Sequence, residues 1–182
     1  PADLAVDSQN NLYVASPASN EIFKFTASSG TISGGTASLP FLTISASSSP
    51  TATVIDALGN LYIGTGSGSD SILKYAASGG VPGTSGTTVG SGFNTISDIW
   101  IATDGKAYIS DNAANKLYQF ASMASATSPT NALASASINF SSQIYIDSFN
   151  NLYVLSTVDA AYNLNSGKVI KFPAVGGVVS LG

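Results

Sequence analysis

Four stretches of this chain are copies of one pattern, and that repetition limits the fold more than any other feature. The copies are DLAVDSQNNLYVAS from Asp3, ATVIDALGNLYIGT from Ala52, DIWIATDGKAYISD from Asp98 and QIYIDSFNNLYVLS from Gln143. Tyr13, Tyr62, Tyr108 and Tyr153 anchor them at intervals of about 45–50 residues. A second match follows each copy: EIFKF from Glu21, SILKY from Ser71, KLYQF from Lys116 and KVIKF from Lys168. Two linked patterns recurring together point to four units within one domain spanning 1–182, bounded at about 1–48, 49–94, 95–140 and 141–182.

Each unit reads as strands. The first run, Leu4–Val6 and its copies, is rich in β-branched and large apolar residues. The turns that follow are Gln9-Asn10-Asn11, Leu58-Gly59-Asn60, Asp104-Gly105-Lys106 and Phe149-Asn150-Asn151. Their middle position is always Asn or Gly, the residues that take positive φ at least cost, so it predicts the left-handed residue of a tight hairpin. Leu12–Val14 and its copies form the second strand, and Ile22–Phe25 and its copies the third. Weaker fourth runs include Phe41–Ile44 and Ile138–Phe140, with Val178–Leu181 closing the last unit. No window holds a 3.6-residue apolar period. Four antiparallel strands at this period are the signature of a propeller blade. The expected fold is all-β, a β-propeller with four four-stranded antiparallel blades. A closed four-blade ring, an arc of a larger propeller and a half that pairs with another copy all remain open.

The pairs VDSQNNLYVAS with EIFKF, and IDALGNLYIGT with ILKY, resemble NHL repeats of bacterial type across nearly the whole chain. The resemblance implies a propeller, usually six-bladed in that family. It also brings in lyases that use His as a general base, sometimes with a bound metal. Lactonase-like propellers hold a divalent metal with Glu, Asn and Asp. This chain has no His, and its one Glu, Glu21, begins a third strand away from the expected channel.

Composition narrows the chemistry. Charged residues make up 9% of the chain, against roughly 25% in an average protein. Without His or Cys, neither Ser–His–Asp nor Cys–His catalysis is available, and thiolate metal sites and disulfides are excluded. A net charge of −4 with only six scattered Lys and no Arg argues against nucleic acid as a partner, which demands clustered cations. No apolar run approaches the ~18 residues of a membrane span. The chain starts at Pro1, so either a leader was removed or the sequence is a piece of something longer. The Ser/Thr-rich, ion-poor composition fits a secreted or cell-surface bacterial protein.

The innermost strand of a blade lines the channel, and period 2 divides its side chains. One set is Leu4 and Val6, Thr53 and Ile55, Ile99 and Ile101, Ile144 and Ile146, and it is expected to pack between blades. The other is Asp3, Ala5 and Asp7; Ala52, Val54 and Asp56; Asp98, Trp100 and Ala102; Gln143, Tyr145 and Asp147, the expected channel wall. Asp3, Asp98, Trp100, Gln143 and Tyr145 break the repeat, as a grafted site would, and could hold a sugar or small polar ligand. The plainer reading has the two aromatics filling the centre of the ring.

Asp7, Asp56 and Asp147 recur at the end of that strand. They read either as oxygen ligands for a hard cation such as Ca2+ or as caps on the following hairpin. No sequence feature brings two carboxylates together. The loop from Ser156 to Gly167, with Asp159, Tyr162, Asn163 and Asn165, is the longest connection between second and third strands. Asn139-Phe140-Ser141 matches a glycosylation sequon. Lys24, Lys74 and Lys171 recur in the third strand, with Gln119 in unit 3, and read as residues that solvate an edge.

Two functional readings result. The first is a non-enzymatic, exported module for protein–protein or surface interaction, open to self-association. The second is small-ligand or divalent-metal binding in the channel, with lyase or lactonase-like activity as its enzymatic extreme.

Overall fold

The computed structural model describes residues 1–32, 40–45, 48–67, 70–129, 132–133, 141–156, 167–175 and 178–179. Blade 1 contains β1 (Leu4–Val6), β2 (Leu12–Ser16) and β3 (Glu21–Phe25), a small hairpin of β4 (Ala27–Ser28) and β5 (Thr31–Ile32), and β6 (Leu42–Thr43). Blade 2 contains β7 (Pro50–Ile55), β8 (Leu61–Thr65), β9 (Asp70–Ser78) and β10 (Val81–Phe93). Blade 3 contains β11 (Ile96–Ile101), β12 (Ala107–Asp111), β13 (Lys116–Phe120) and β14 (Ala132–Leu133), with a short 3₁₀ turn at Met123–Ser125. Blade 4 contains β15 (Ser141–Ile146), β16 (Leu152–Ser156) and β17 (Lys168–Phe172). A separate hairpin follows, β18 (Ala174–Val175) with β19 (Val178–Val179). Every strand pairing is antiparallel, and successive sheets pack face to face with their first strands adjacent, as propeller blades do. No described helix is long and apolar enough to cross a membrane.

The hairpin after each first strand forms for the reason its sequence suggests. Asn10, Gly59, Gly105 and Asn150 have φ of 64°, 86°, 84° and 61°. In blade 1, Asp7 Oδ1 accepts the backbone N–H groups of Gln9 and Asn11, both at 2.9 Å. Its Oδ2 accepts Asn11 Nδ2 at 2.8 Å and the Tyr13 hydroxyl at 3.1 Å. Asp56 repeats the set with Leu58, Asn60 and Tyr62, and Asp147 with Phe149, Asn151 and Tyr153. The Asn side-chain oxygen then accepts a backbone N–H at the end of the third strand or just beyond it: Ala27 for Asn11, Ala77 for Asn60 and Ala174 for Asn151. One Asp–Asn–Tyr set therefore ties three strands of a blade together at one end. Blade 3 lacks the Asp. There Asp104 pairs with Lys106, and Gln119 Nε2 donates to the Tyr108 hydroxyl at 3.1 Å.

The recurrent lysines have a different role from the one expected. Lys24, Lys74 and Lys171 lie directly across the strand pair from the repeat tyrosines. Their ammonium groups sit 5.3, 5.6 and 5.4 Å from the ring centroids of Tyr13, Tyr62 and Tyr153, a cation–π arrangement rather than plain edge solvation. Two fourth strands also differ from expectation. Ala132–Leu133 takes that place in blade 3, while Ile138–Phe140 lies outside the described residues. Val178–Val179 pairs with Ala174–Val175, which stands nearer to it in sequence, rather than with β17.

The described blades form an arc. Packing runs from blade 1 to 2, 2 to 3 and 3 to 4, and among the described residues no comparable packing joins blade 4 to blade 1. The second strands record this. Every residue of β8 and β12 is buried, because a neighbour covers each face of blades 2 and 3. In β2 and β16 burial alternates, so only one face is fully covered. Leu4 and Val6, expected to pack between blades, are 61% and 48% exposed because no described blade covers their face.

Asn60→Ala removes two side-chain bonds and leaves Asp56 and the Ala77 N–H short of partners. We expect it to lower unfolding stability by about 2 kcal/mol. Urea denaturation measures this, and a loss below about 0.5 kcal/mol, the range of a neutral surface change, would contradict the role given to the Asp–Asn–Tyr set.

Candidate functional site

The first strands of all four blades border one cavity of about 630 Å³ on the concave side of the arc. Asp3, Asp98, Trp100, Gln143 and Tyr145, the five residues that break the repeat, all line it. Leu4, Val6, Thr53, Ile55, Ile99, Ile101 and Ile144 line it as well, which corrects the expected division of the strand into a packing side and a channel side. A blade stands edge-on to the axis, so its innermost strand presents an edge to the cavity and side chains of both faces border it. Trp100 and Tyr145 meet edge to face, with centroids 5.0 Å apart and an interplanar angle of 68°. They do not plug the centre: Tyr145 is 54% exposed.

The two acids are held by the following blade. Asp3 Oδ2 accepts the Thr53 N–H at 2.6 Å and the Thr53 hydroxyl at 3.1 Å. Asp98 Oδ2 accepts the Ile144 N–H at 2.7 Å, and its Oδ1 accepts the Ile99 N–H at 2.7 Å. Burial pushes the Asp98 carboxyl up to about 7, and the negative charge of Asp3 adds to the rise. The Ile144 and Ile99 N–H groups act in the opposite direction and limit it. The cavity thus brings two carboxylates within electrostatic reach, a pairing that local sequence reading does not reveal.

Further wall residues were not anticipated: Tyr153, Leu155 and Val169 of blade 4. Their counterparts in earlier blades are covered by the next blade, so position in the arc, rather than residue type, puts them in the wall. Asp7, Asp56 and Asp147 are not brought together. Each sits at its own hairpin with both oxygens engaged by four donors, and the described residues contain no group of three acidic, His or Cys side chains suited to a metal. Hydrogen bonds hold the carboxyls of Asp7 and Asp147 below the usual range: at Asp147 those from Asn151 lead, and at Asp7 they outweigh the effect of burial. The Tyr62 hydroxyl, buried and facing the Asp56 charge, is pushed up to about 12. Asp159, Tyr162, Asn163, Asn165 and the Asn139 sequon lie outside the described residues.

No family model matches the chain, and no curated protein matches it in sequence. Solved structures do match. A gluconolactonase from Xanthomonas campestris superposes with a TM-score of 0.67 at 14% identity, over 97% of this chain and 59% of the other. An aldose sugar dehydrogenase from Streptomyces coelicolor gives 0.62 at 14% identity, over 87% and 57%. Streptogramin B lyase gives 0.59 at 12% identity, over 96% and 54%. The chain therefore has a β-propeller fold and spans somewhat more than half the length of these structures.

Two measurements probe the site. Between pH 3.8 and about 7, native Asp98 keeps its proton while the unfolded chain has lost it. Asp98 therefore contributes stability that falls as pH rises through that window. Melting temperatures of Asp98→Asn should fall less steeply across it than those of the parent, and parallel curves would refute the assigned environment. The lowered carboxyls of Asp7 and Asp147 act in the other direction and below this window, their stabilisation being lost as pH falls under 3.8. Because donors already occupy the oxygens of Asp7, Asp56 and Asp147, Ca2+ should leave the melting temperature unchanged. A rise abolished by Asp56→Asn would assign the metal to that position.

Proposed function

We propose that this chain belongs to an exported bacterial propeller with NHL-type repeats whose axial cavity binds a small polar ligand of the sugar or sugar-lactone class. One observation carries the reading: a single cavity combines two acids, an amide and three aromatic rings, Trp100, Tyr145 and Tyr153. Sugar hydroxyls donate to carboxylates and amide oxygens, while the C–H face of the ring lies on an aromatic surface. The gluconolactonase and sugar dehydrogenase among the structures of like fold support that ligand class. In its enzymatic form this reading gives Asp98 the proton-transfer role, since a carboxyl that titrates near neutrality can both hold and release a proton. The sequence has no His or Cys to take that role instead.

A second reading, an exported module for protein interaction, is favoured by the uncovered apolar faces at the two ends of the arc.

Trp100 is the only tryptophan in the sequence and lines the cavity, so its fluorescence reports occupancy directly. Titration with D-glucose and D-glucono-1,5-lactone should produce a saturable change with at least one of them. Gln143→Ala should weaken that binding about tenfold, the effect of one lost hydrogen-bonding group. A flat emission signal to the solubility limit of both compounds would reject the ligand class. A saturable change untouched by Gln143→Ala and Asp98→Asn would place the site elsewhere.

A further inference from the structure

The junction of blades 2 and 3 holds a second cavity, of about 550 Å³, at its hairpin end. On one side stand Tyr62 and Lys74 of blade 2. On the other stand Ala102 and Thr103, just before the blade 3 hairpin turn, and Met123 and Ala124 of the 3₁₀ turn. Of its wall residues only Ile55 and Ile101 also border the axial cavity. Its size falls in the range of small-molecule sites, roughly 300–1,000 Å³.

The repeat itself indicates what this cavity suits. At the junction of blades 1 and 2, the Lys24 ammonium lies 5.3 Å from the Tyr13 ring centroid and 5.6 Å from that of Phe41. The two rings meet edge to face with centroids 5.3 Å apart. Phe41 leads into the outer strand β6, so blade 1 supplies the second ring itself. The outer strand of blade 2 supplies none: β10 sets Thr87 opposite Lys74 and Gly86 opposite Tyr75. Among the described residues, Lys74 keeps only the Tyr62 ring, at 5.6 Å, and makes no ion pair. In blade 3, Gln119 takes the place of the lysine and bonds the Tyr108 hydroxyl. Of the three junctions, this one alone leaves the lysine with a single ring and a cavity beside it.

We propose that this second cavity binds a small aromatic carboxylate. Its ring lies beside Tyr62 and Lys74 as Phe41 lies beside Tyr13 and Lys24, and its carboxylate accepts from the Lys74 ammonium. An ammonium with a ring on one side and no acidic partner offers charge that a carboxylate matches. Met123, buried in the apolar cluster between the two blades, gives the ligand ring an apolar bed. Asp56, which accepts the Tyr62 hydroxyl at 3.2 Å, also borders the cavity and repels a dianion more than a monoanion, so a carboxylate fits better than a phosphate. The site is independent of what the axial cavity binds.

Saturation-transfer NMR titrations test the proposal. Hydrocinnamate should bind saturably to the parent chain. Loss of the π-face, in cyclohexanepropanoate, or of the charge, in hydrocinnamyl alcohol, should weaken binding about fivefold, the worth of one cation–π contact or one partly exposed ion pair. Lys74→Met removes both interactions and should weaken hydrocinnamate about tenfold or more. Lys24→Met makes the same change where Phe41 already supplies the second ring, and should leave binding within about twofold of the parent. Ala124→Phe crowds the cavity from an exposed position and should abolish binding with Lys74 intact. Circular dichroism checks the fold of each variant. Absence of saturable hydrocinnamate binding overturns the proposal. So does binding that survives Lys74→Met or Ala124→Phe unchanged, that Lys24→Met weakens equally, or that cyclohexanepropanoate matches. Lys74 and Ala124 lie outside the axial cavity, so none of these results bears on the sugar site.

Discussion

Face-to-face burial between successive sheets is the interaction on which the whole molecule depends. A twisted four-stranded sheet with apolar residues on both faces cannot be stable alone in water. This chain covers both faces of blades 2 and 3 with copies of the same sheet, so β8 and β12 become buried along their whole length. The low charge content follows in part from that solution. Strands covered on both sides have few positions where an ion would remain solvated, and the surface left over is solvated by hydroxyls and amides.

Such stacking leaves each blade to secure its own strands. The Asp–Asn–Tyr set does so by placing one carboxylate among four donors and passing the register to the third strand through the Asn side-chain oxygen. Burial would ordinarily raise an acid such as Asp7; the donors reverse the direction. At Asp98 two backbone donors oppose burial and a neighbouring carboxylate, and burial prevails. The same residue type is thus held as an anion at the hairpin and keeps its proton to about neutral pH beside the axis. The difference lies in the deeper burial of Asp98 and in the larger number of donors that reach the hairpin acids.

Local features were legible in the sequence and distant ones were not. The period, the first three strands of each unit and the left-handed Asn or Gly of each hairpin depend on neighbours within a few residues, and the structure has them where the pattern put them. The five residues that break the repeat do meet in one cavity, since departures from a repeat mark where units cease to be equivalent. The approach of Asp3 to Thr53 spans 50 positions and that of Asp98 to Ile144 spans 46, and neither bond leaves a local trace. The exposure of Leu4 and Val169 is equally hidden. A repeat reads alike in a ring and in an arc, and only the packing tells which copies stand at the ends.

The carboxylates beside the axis connect the architecture with the proposed chemistry. In Asp98 each oxygen accepts one backbone N–H, which leaves a further lone pair on each. Holding the next blade therefore does not exhaust the group, and the same bonds fix its orientation toward the cavity. Blade 2 has Ala52 at this position, yet its junction with blade 3 is fully packed, so the bond is not required to join two blades. A position that packing alone can satisfy is free to vary. Asp3, Asp98 and Gln143 use that freedom to place polar groups around one cavity, and the sheets behind them need no change.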